Sequence, residues 1–299
     1  MEVSAVPRIT AWLLAIRPKT LPAAAAPVLI GAGLAGYRGV FALLPAAAAL
    51  LGALLIQVAT NLANDYFDFV HGADTAERVG PLRVTQAGLI AAADMRRGML
   101  LALAAAFSVG VYLVWVGGWP IVVIGLASLA CAVAYTGGPL PIAYHGLGDV
   151  FVFVFFGLVA VSGTYYVQAL AFSAESLLAG AGVGALSTAI LVVNNLRDLE
   201  TDARAGKRTL AVRIGARGTR IEYLLLLLTG AVVPVAGIAL HGWPVAVLTA
   251  PAAVALAALP ARRVLTFRDP RELLPALGQT ARVVALYGLL LGAALAASG

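Results

Sequence analysis

Residues 39–74 read GVFALLPAAAALLGALLIQVATNLANDYFDFVHGAD, an apolar run that ends in a group of acids. Its first 26 residues contain no Asp, Glu, Lys or Arg. About 20 apolar residues in a helix cross the ~30 Å hydrocarbon core of a membrane. The run is therefore predicted to span a membrane and to place Asp65 and Asp68 together at one membrane surface.

The same pattern continues along the chain, which has 299 residues, of which 62% are hydrophobic and 11% charged. A soluble domain has roughly 25% charged residues. We predict an all-α integral membrane protein that forms one domain, residues 1–299. Charge-free intervals predict nine transmembrane helices. Four intervals hold one span each: 20–37, 39–64, 150–174 and 176–196. Two longer intervals hold two spans each, 98–148 with a break at 117–120 (GGWP) and 223–261 with a break at 241–244 (HGWP), and the ninth span is 283–299 extended by 273–277.

Basic residues orient these spans. With the N-terminus in the cytoplasm, 19 of the 20 Lys and Arg residues fall on the cytoplasmic side, and only Arg38 lies outside. Loops facing the cytoplasm are rich in Lys and Arg. This accounts for the net charge of +6. No stretch interleaves basic and aromatic residues as a nucleic-acid surface does, so no nucleic-acid partner is predicted.

Small residues inside the spans are interpreted as packing surfaces. Gly31, Gly33 and Gly36 match the spacing GxGxxG, but they lie within a span, with no strand before them and no acid about 20 residues later. We predict a helix-packing face there rather than a dinucleotide-binding loop.

Two predicted cytoplasmic loops carry paired acids. Residues 64–68 read NDYFD, and residues 194–208 read NNLRDLETDARAGKR. Spacings of three and four residues place both members of a pair on one helix face. Magnesium binds oxygen ligands, usually one or two carboxylates together with substrate phosphates. We predict that Mg²⁺ is held by Asp65, Asp68, Asp198 and Asp202, and that a diphosphate is bound nearby by Asn64, Arg78, Arg83, Asn195, Lys207 and Arg208.

A diphosphate site at the edge of a membrane bundle favours a ligand with an anionic head and a long apolar tail. A polyprenyl diphosphate has this shape. Magnesium would stabilise the departing pyrophosphate electrostatically, without a covalent nucleophile. The allylic cation left behind needs an enclosed site and an electron-rich acceptor such as an aromatic ring.

The chain resembles the UbiA superfamily of intramembrane aromatic prenyltransferases, whose NDxxD and DxxxD motifs are similar to residues 64–68 and 198–202. The resemblance implies a nine-helix bundle around a central cavity with a cytoplasmic cap, and Mg²⁺ and diphosphate on both Asp pairs. Gly72 stands where the superfamily often has a third Asp. Asp74 is the next acid, and we rank it below Asp65 and Asp68 as a ligand.

Within the superfamily, the 1,4-dihydroxy-2-naphthoate prenyltransferases of menaquinone synthesis are the most similar, at residues 17–22 (RPKTLP), 64–68, 78–83 (RVGPLR), 163–168 (GTYYVQ) and 194–213. This implies a bacterial cell-membrane enzyme that replaces the carboxyl of dihydroxynaphthoate with a prenyl group, releasing CO₂ and pyrophosphate. The residues expected to contact the aromatic acceptor are Arg17, Lys19, His71 and Tyr135. For Arg17 and Lys19 the alternative is anchoring at the membrane surface, and Tyr135 could equally be an interface anchor.

Two other functions stay open on the sequence. One is a UbiA-type enzyme with a different acceptor: hydroxybenzoate, homogentisate, haem or a chlorophyll precursor. The other is a cation-coupled transporter, but transporters usually carry acids near the bilayer midplane. Here the paired acids follow the ends of predicted spans.

Overall fold

The structure, a computed structural model, describes residues 6–72, 80, 82–139 and 141–299. Arg78 and Asp74, both predicted near the site, lie outside these described residues. Within them every regular element is a helix, which confirms the predicted all-α class. The main helices are α1 Arg8–Ile16, α2 Leu21–Tyr37, α3 Leu43–Val70, α4 Ala92–Gly117, α5 Trp119–Ala134, α6 Gly148–Ala169, α7 Ala174–Arg197, α8 Leu199–Arg204, α9 Leu210–His241, α10 Val245–Thr266 and α11 Leu273–Ala296.

Nine of these helices correspond to the nine predicted spans. Across the described ranges, eight segments are long and apolar enough to cross a membrane: α2 together with α1, and α3, α4, α6, α7, α9, α10 and α11. The ninth, α5, is equally apolar in character but has only 16 residues. The chain therefore forms a multi-pass membrane bundle.

The two predicted breaks occur where glycine and proline adjoin. Gly118 separates α4 from α5 with φ of 70°, and Gly242 ends α9 with φ of 68°. Backbone with positive φ is accessible to glycine at little cost, because there is no Cβ to clash. A proline follows each glycine by two residues, where its fixed φ suits the start of the next helix. Both breaks are confirmed.

Small residues allow close approach between helices, as predicted for residues 31–36. A methyl group on Gly33 would overlap the backbone of Gly292, and one on Gly31 would lie 2.7 Å from the Val161 carbonyl oxygen. Helix α2 thus contacts α6 and α11 almost backbone to backbone. Without a hydrophobic driving force between helices in lipid, such close packing is a main source of association.

One end of the bundle carries both acidic motifs, and we call it the motif end. Helices α3 and α7 finish there, at Val70 and Arg197, while α6 begins there at Gly148 and α11 at Leu273. Helix α7 is largely buried and packs against α2, α6, α9 and α11. The fold therefore gathers four helix ends and the two motif loops around one space.

Candidate active site

A cavity of about 1150 Å³, here called the polar cavity, opens at the motif end. Charged side chains of both signs line it. The basic ones are Arg17, Lys19, Arg83, Arg204, Lys207 and Arg282. The acidic ones are Asp68, Asp149, Asp198 and Asp202. A wall of this composition suits a ligand that is strongly anionic and is bound through both cations and a metal.

Asp68, at the end of α3, is the most heavily engaged of these acids. Its Oδ2 accepts a hydrogen bond from Arg83 at 2.5 Å, and its Oδ1 accepts one from the Tyr144 hydroxyl at 2.9 Å. The Lys207 ammonium lies 3.6 Å from Oδ1. Two cations therefore compensate a carboxylate that is only 3% exposed.

Asp65 lies one helical turn earlier and has a different environment. It is 1% exposed and lies outside the lining of the polar cavity. Its two oxygens accept hydrogen bonds from the backbone amides of Val84, at 3.2 Å, and Thr85, at 2.9 Å. Arg17 is 3.9 Å away. The structure thus shows Asp65 holding the returning loop in place, and its metal-binding role stays a prediction.

Asp198 lies at the junction of α7 and α8 and is clamped by its neighbour. The Arg197 guanidinium donates to Oδ1 at 2.7 Å and to Oδ2 at 2.5 Å. The same guanidinium donates to the Asn194 side-chain oxygen at 2.8 Å. The Arg197 side chain is fully buried, so it positions Asp198 rather than contacting a ligand.

Lys207 links the second motif to the first. Its backbone amide donates to the Asp202 carbonyl at 2.9 Å, while its ammonium faces Asp68. The ammonium also lies over the Tyr144 ring, 4.6 Å from its centroid. Asp68, Asp198 and Asp202 border the same cavity as Lys207.

The other predicted site residues divide into two groups. Those that line the polar cavity are Arg17, Lys19, Asn64, His71, Arg83, Tyr135, Asn195 and Lys207. Arg208 is exposed and lies outside the lining, and its backbone amide donates to the Tyr144 carbonyl at 2.9 Å. Its predicted contact with diphosphate is not visible in this arrangement and stays a prediction.

The donors on the cavity wall fit magnesium only in combination with a ligand. Among the described residues, no three His, Cys, Asp or Glu side chains lie close enough together to hold a metal ion. Magnesium dehydrates reluctantly and is usually bound through one or two carboxylates plus substrate phosphates. Carboxylate oxygens at Asp68, Asp198 and Asp202 match this mode, in which the phosphate supplies the remaining ligands.

A second space, the apolar chamber, continues from the polar cavity and has a volume of about 720 Å³. Its walls come from α2 to α6 and are almost entirely hydrophobic. Five residues line both spaces and form what we call the boundary ring: Gln57, Asn64, Tyr135, Val152 and Phe156. Together the two spaces fit a molecule with a charged head and a long apolar tail.

Tyr135 brings a hydroxyl to the boundary ring. Burial raises the pKa of this hydroxyl above its ordinary value. Three carboxylates raise the same pKa further: Asp149, Asp68 and Asp202. The hydroxyl therefore stays protonated and available as a hydrogen-bond donor at neutral pH.

Comparison with known proteins identifies the family. Residues 24–282 match the UbiA prenyltransferase family. The chain belongs to this family. It is 38% identical to the 1,4-dihydroxy-2-naphthoate octaprenyltransferase of Escherichia coli strain K12, over 97% of this chain and 96% of that protein. It is 39% identical to the enzyme of the same name from Mycobacterium tuberculosis, over 95% of this chain and 96% of that one.

The fold is likewise that of solved UbiA proteins. A UbiA homologue from Archaeoglobus fulgidus, bound to GPP and Mg²⁺, superimposes with a TM-score of 0.68. The match covers 95% of this chain and 99% of that one, with 13% sequence identity. The predicted UbiA-like bundle is confirmed.

Several residues of this UbiA-family site were not predicted from the sequence. Arg197 directly precedes Asp198, and its buried clamp is not distinguishable in sequence from an ordinary loop cation. Tyr144 reaches Asp68 from the loop before α6, 76 positions away, so no local pattern marks it. Asp149 did leave a signal, because it is the only acid between Asp94 and Glu175.

Proposed function

We propose that this protein transfers a polyprenyl group from a polyprenyl diphosphate to 1,4-dihydroxy-2-naphthoate, releasing CO₂ and pyrophosphate and giving demethylmenaquinol. The relatives of that name, similar over nearly the whole chain, support this choice of acceptor. The structural observation behind it is the boundary ring, where a charged cavity meets an apolar chamber. A prenyl diphosphate lying across the ring has its reactive carbon at the junction.

The diphosphate occupies the polar cavity, where Arg83 and Lys207 lie beside Asp68. Asp68, Asp198 and Asp202 would hold Mg²⁺ together with the phosphate oxygens, and the metal would supply positive charge to stabilise the departing pyrophosphate. Arg197 holds the Asp198 carboxylate in place through two hydrogen bonds. Tyr144 orients Asp68 through a hydrogen bond at 2.9 Å. Asp65 contributes by fixing the loop that carries Arg83.

The prenyl tail extends into the apolar chamber, which shields the allylic carbon from water. An allylic cation is short-lived in water, so exclusion of solvent favours attack by the acceptor. Tyr135 presents its ring at the junction, and aromatic faces attract cations. The acceptor approaches from the polar cavity, where Arg17, Lys19 and Arg282 offer positive charge to its carboxylate.

Product analysis by mass spectrometry tests the proposal. Purified protein in micelles receives dihydroxynaphthoate and a series of polyprenyl diphosphates, with Mg²⁺ or with EDTA. We expect a prenylated, decarboxylated product and an equimolar amount of pyrophosphate, both abolished by EDTA and restored by excess Mg²⁺. Hydroxybenzoate and homogentisate serve as competing acceptors. If product forms only from hydroxybenzoate or homogentisate, that compound is the acceptor and dihydroxynaphthoate is not. If no pyrophosphate is released with any acceptor, prenyl transfer is rejected altogether.

We also propose that the motif end faces the cytoplasm of a bacterial cell. The distribution of Lys and Arg supports this orientation, since Arg38 alone follows the opposite end of α2. A Cys131→Ala protein carrying Arg38→Cys should react with a membrane-impermeant maleimide in intact cells. A matched Arg217→Cys protein should react only after the membrane is permeabilised. The reverse labelling pattern would invert the topology.

A further inference from the structure

Four buried side-chain oxygens on the wall of the polar cavity have no hydrogen-bond partner within the described part of the chain: Gln57 Oε1, Asp149 Oδ2, Ser187 Oγ and Gln279 Oε1. A buried polar atom without a partner is costly, more so when it carries charge. Such atoms on a cavity wall point to a ligand that completes their bonding. Asp149 is the acid among these four residues, and its oxygen is the most costly to leave without a partner because the carboxylate carries charge.

Asp149 sits in the first turn of α6, beside the boundary ring. The residue is 6% exposed and lines the polar cavity. Val152 and Phe156, two members of the ring, follow on the same side of α6. The Tyr135 hydroxyl is also adjacent, since it would lie 3.1 Å from a methyl group on Gly148. The free oxygen of Asp149 therefore lies near the junction at which the reactive carbon of the donor is placed.

Asp149 differs in its surroundings from the acids that are assigned to the diphosphate. Asp68 is compensated by Arg83 and Lys207, and Asp198 by Arg197. Asp149 Oδ2 has neither a cation nor a hydrogen bond in the described structure. A carboxylate oxygen accepts hydrogen bonds only. Its complement is a neutral O–H donor, and a second anion would be repelled.

Ser187 lies on the part of α7 that packs against Asp149, because the hydroxyl of its neighbour Thr188 is 3.5 Å from the Asp149 carbonyl oxygen. We propose that Asp149 and Ser187 bind a phenolic hydroxyl of the aromatic acceptor beside the boundary ring, and that Asp149 is the general base of the reaction. This proposal rests on the proposed prenyl transfer. The phenolic hydroxyl donates to Asp149, and Ser187 hydrogen-bonds the same oxygen. The ligand class is a phenol or naphthol with the hydroxyl next to the carbon that is prenylated.

The step needs no proton from outside the site, because Asp149 takes up one proton and later returns it. As the allylic C–O bond breaks, its electron pair leaves with the pyrophosphate. The ring carbon bearing the carboxylate then bonds to the allylic carbon, while Asp149 takes the proton of the neighbouring hydroxyl and that oxygen becomes a carbonyl. The bond to CO₂ breaks next, and its electron pair restores the aromatic ring. Asp149 returns the proton to the oxygen, so the carboxylate is regenerated.

Kinetics of Asp149→Asn test the assignment. Asparagine keeps the shape but cannot accept the proton, and general base catalysis contributes roughly 10²–10⁴-fold. We expect kcat to fall at least about 100-fold and the acceptor KM to rise about threefold to tenfold. The KM for prenyl diphosphate should stay within about twofold of wild type, because Asp149 does not contact the head group. Asp149→Glu should recover part of kcat, since it retains a base.

The matched control is Asp94→Asn, which makes the same substitution at a partly exposed acid in the first turn of α4, outside the cavity lining. It should keep wild-type kinetics. Asp149→Asn with unchanged kcat, or with both substrate KM values raised equally, would overturn the assignment. If Asp149→Asn does not yield folded protein, Ser187→Ala replaces it, with an expected rise in acceptor KM alone; an unchanged acceptor KM overturns the proposal. A wild-type enzyme inactive toward every phenolic acceptor would instead reject prenyl transfer itself.

Discussion

Replacing Arg197 with methionine should destabilise the protein sharply, although Arg197 touches no substrate. Its guanidinium makes two hydrogen bonds to Asp198, at 2.7 and 2.5 Å, and a third to Asn194 at 2.8 Å. Its side chain is 0% exposed and that of Asp198 is 7% exposed. Arg197→Met therefore leaves the buried Asp198 carboxylate without the two hydrogen bonds that this guanidinium donates.

The size of the effect follows from the cost of removing one partner of a buried ion pair. Breaking a buried ion pair by removing one partner costs roughly 3–5 kcal/mol, whereas replacing both partners with neutral groups is often close to neutral. We expect a loss of about 3–5 kcal/mol in Arg197→Met. The double variant Arg197→Met, Asp198→Asn should recover most of that stability, yet remain inactive because Asp198 is a proposed metal ligand.

Thermal unfolding in detergent micelles, at a fixed scan rate and without divalent metal, measures this difference. A domain of this general size changes Tm by about 2–4 °C per kcal/mol, so the single variant should unfold roughly 6–20 °C below wild type. Arg217→Met, at an exposed position on α9, is the control and should stay within about 2 °C. A Tm of Arg197→Met equal to that control, or a double variant no more stable than the single one, would refute the reasoning.

Three further changes have defined outcomes. Asp68→Asn should lower kcat at least about 100-fold, because charge is lost at the diphosphate, and retained turnover argues against a ligand role. It should also lower Tm, because Arg83 and Lys207 lose their buried counter-charge although the hydrogen bond from Tyr144 can persist. Gly237→Ala should lower stability by about 1–3 kcal/mol, since its methyl overlaps the Trp243 indole, and a Tm unchanged from wild type would contradict the packing. Gly110→Phe, at an open position on the chamber wall, should shorten the prenyl chain that is accepted; an identical product distribution by mass spectrometry would place the tail elsewhere.

Much of the fold was predictable because lipid imposes simple rules. A helix must be long enough to cross the hydrocarbon, so charge-free intervals predicted the spans and both glycine–proline breaks. The family motifs were equally visible, since acids are rare in such a chain. The directions in which the site side chains point could not be predicted from the sequence. Spacing places Asp65 and Asp68 on one helix face, but cannot show that Asp65 binds the backbone at Val84 while Asp68 borders the cavity.

The remaining site residues depend on contacts between distant parts of the chain. Tyr144 and Lys207 meet Asp68 only after three loops come together at the motif end. Arg208 carries the same charge as its neighbour Lys207, yet the turn leaves it outside the cavity lining. Charge and spacing predicted which chemistry to expect. Side-chain direction, set by tertiary packing, determined which members of each motif face the ligand.

The tight contact between α2 and α11 has a consequence for biosynthesis. Gly33 meets Gly292, and the Gly292 position lies so near α2 that a methyl there would sit 2.6 Å from the Leu29 carbonyl oxygen. The first and last spanning helices of the described bundle thus share one seam, and α11 also supplies Arg282 to the site. During translation α2 enters the bilayer long before its partner exists. The contact between α2 and α11 forms only when the ribosome has made α11, so a nascent chain that stalls before α11 lacks both this helix contact and the Arg282 side chain of the site.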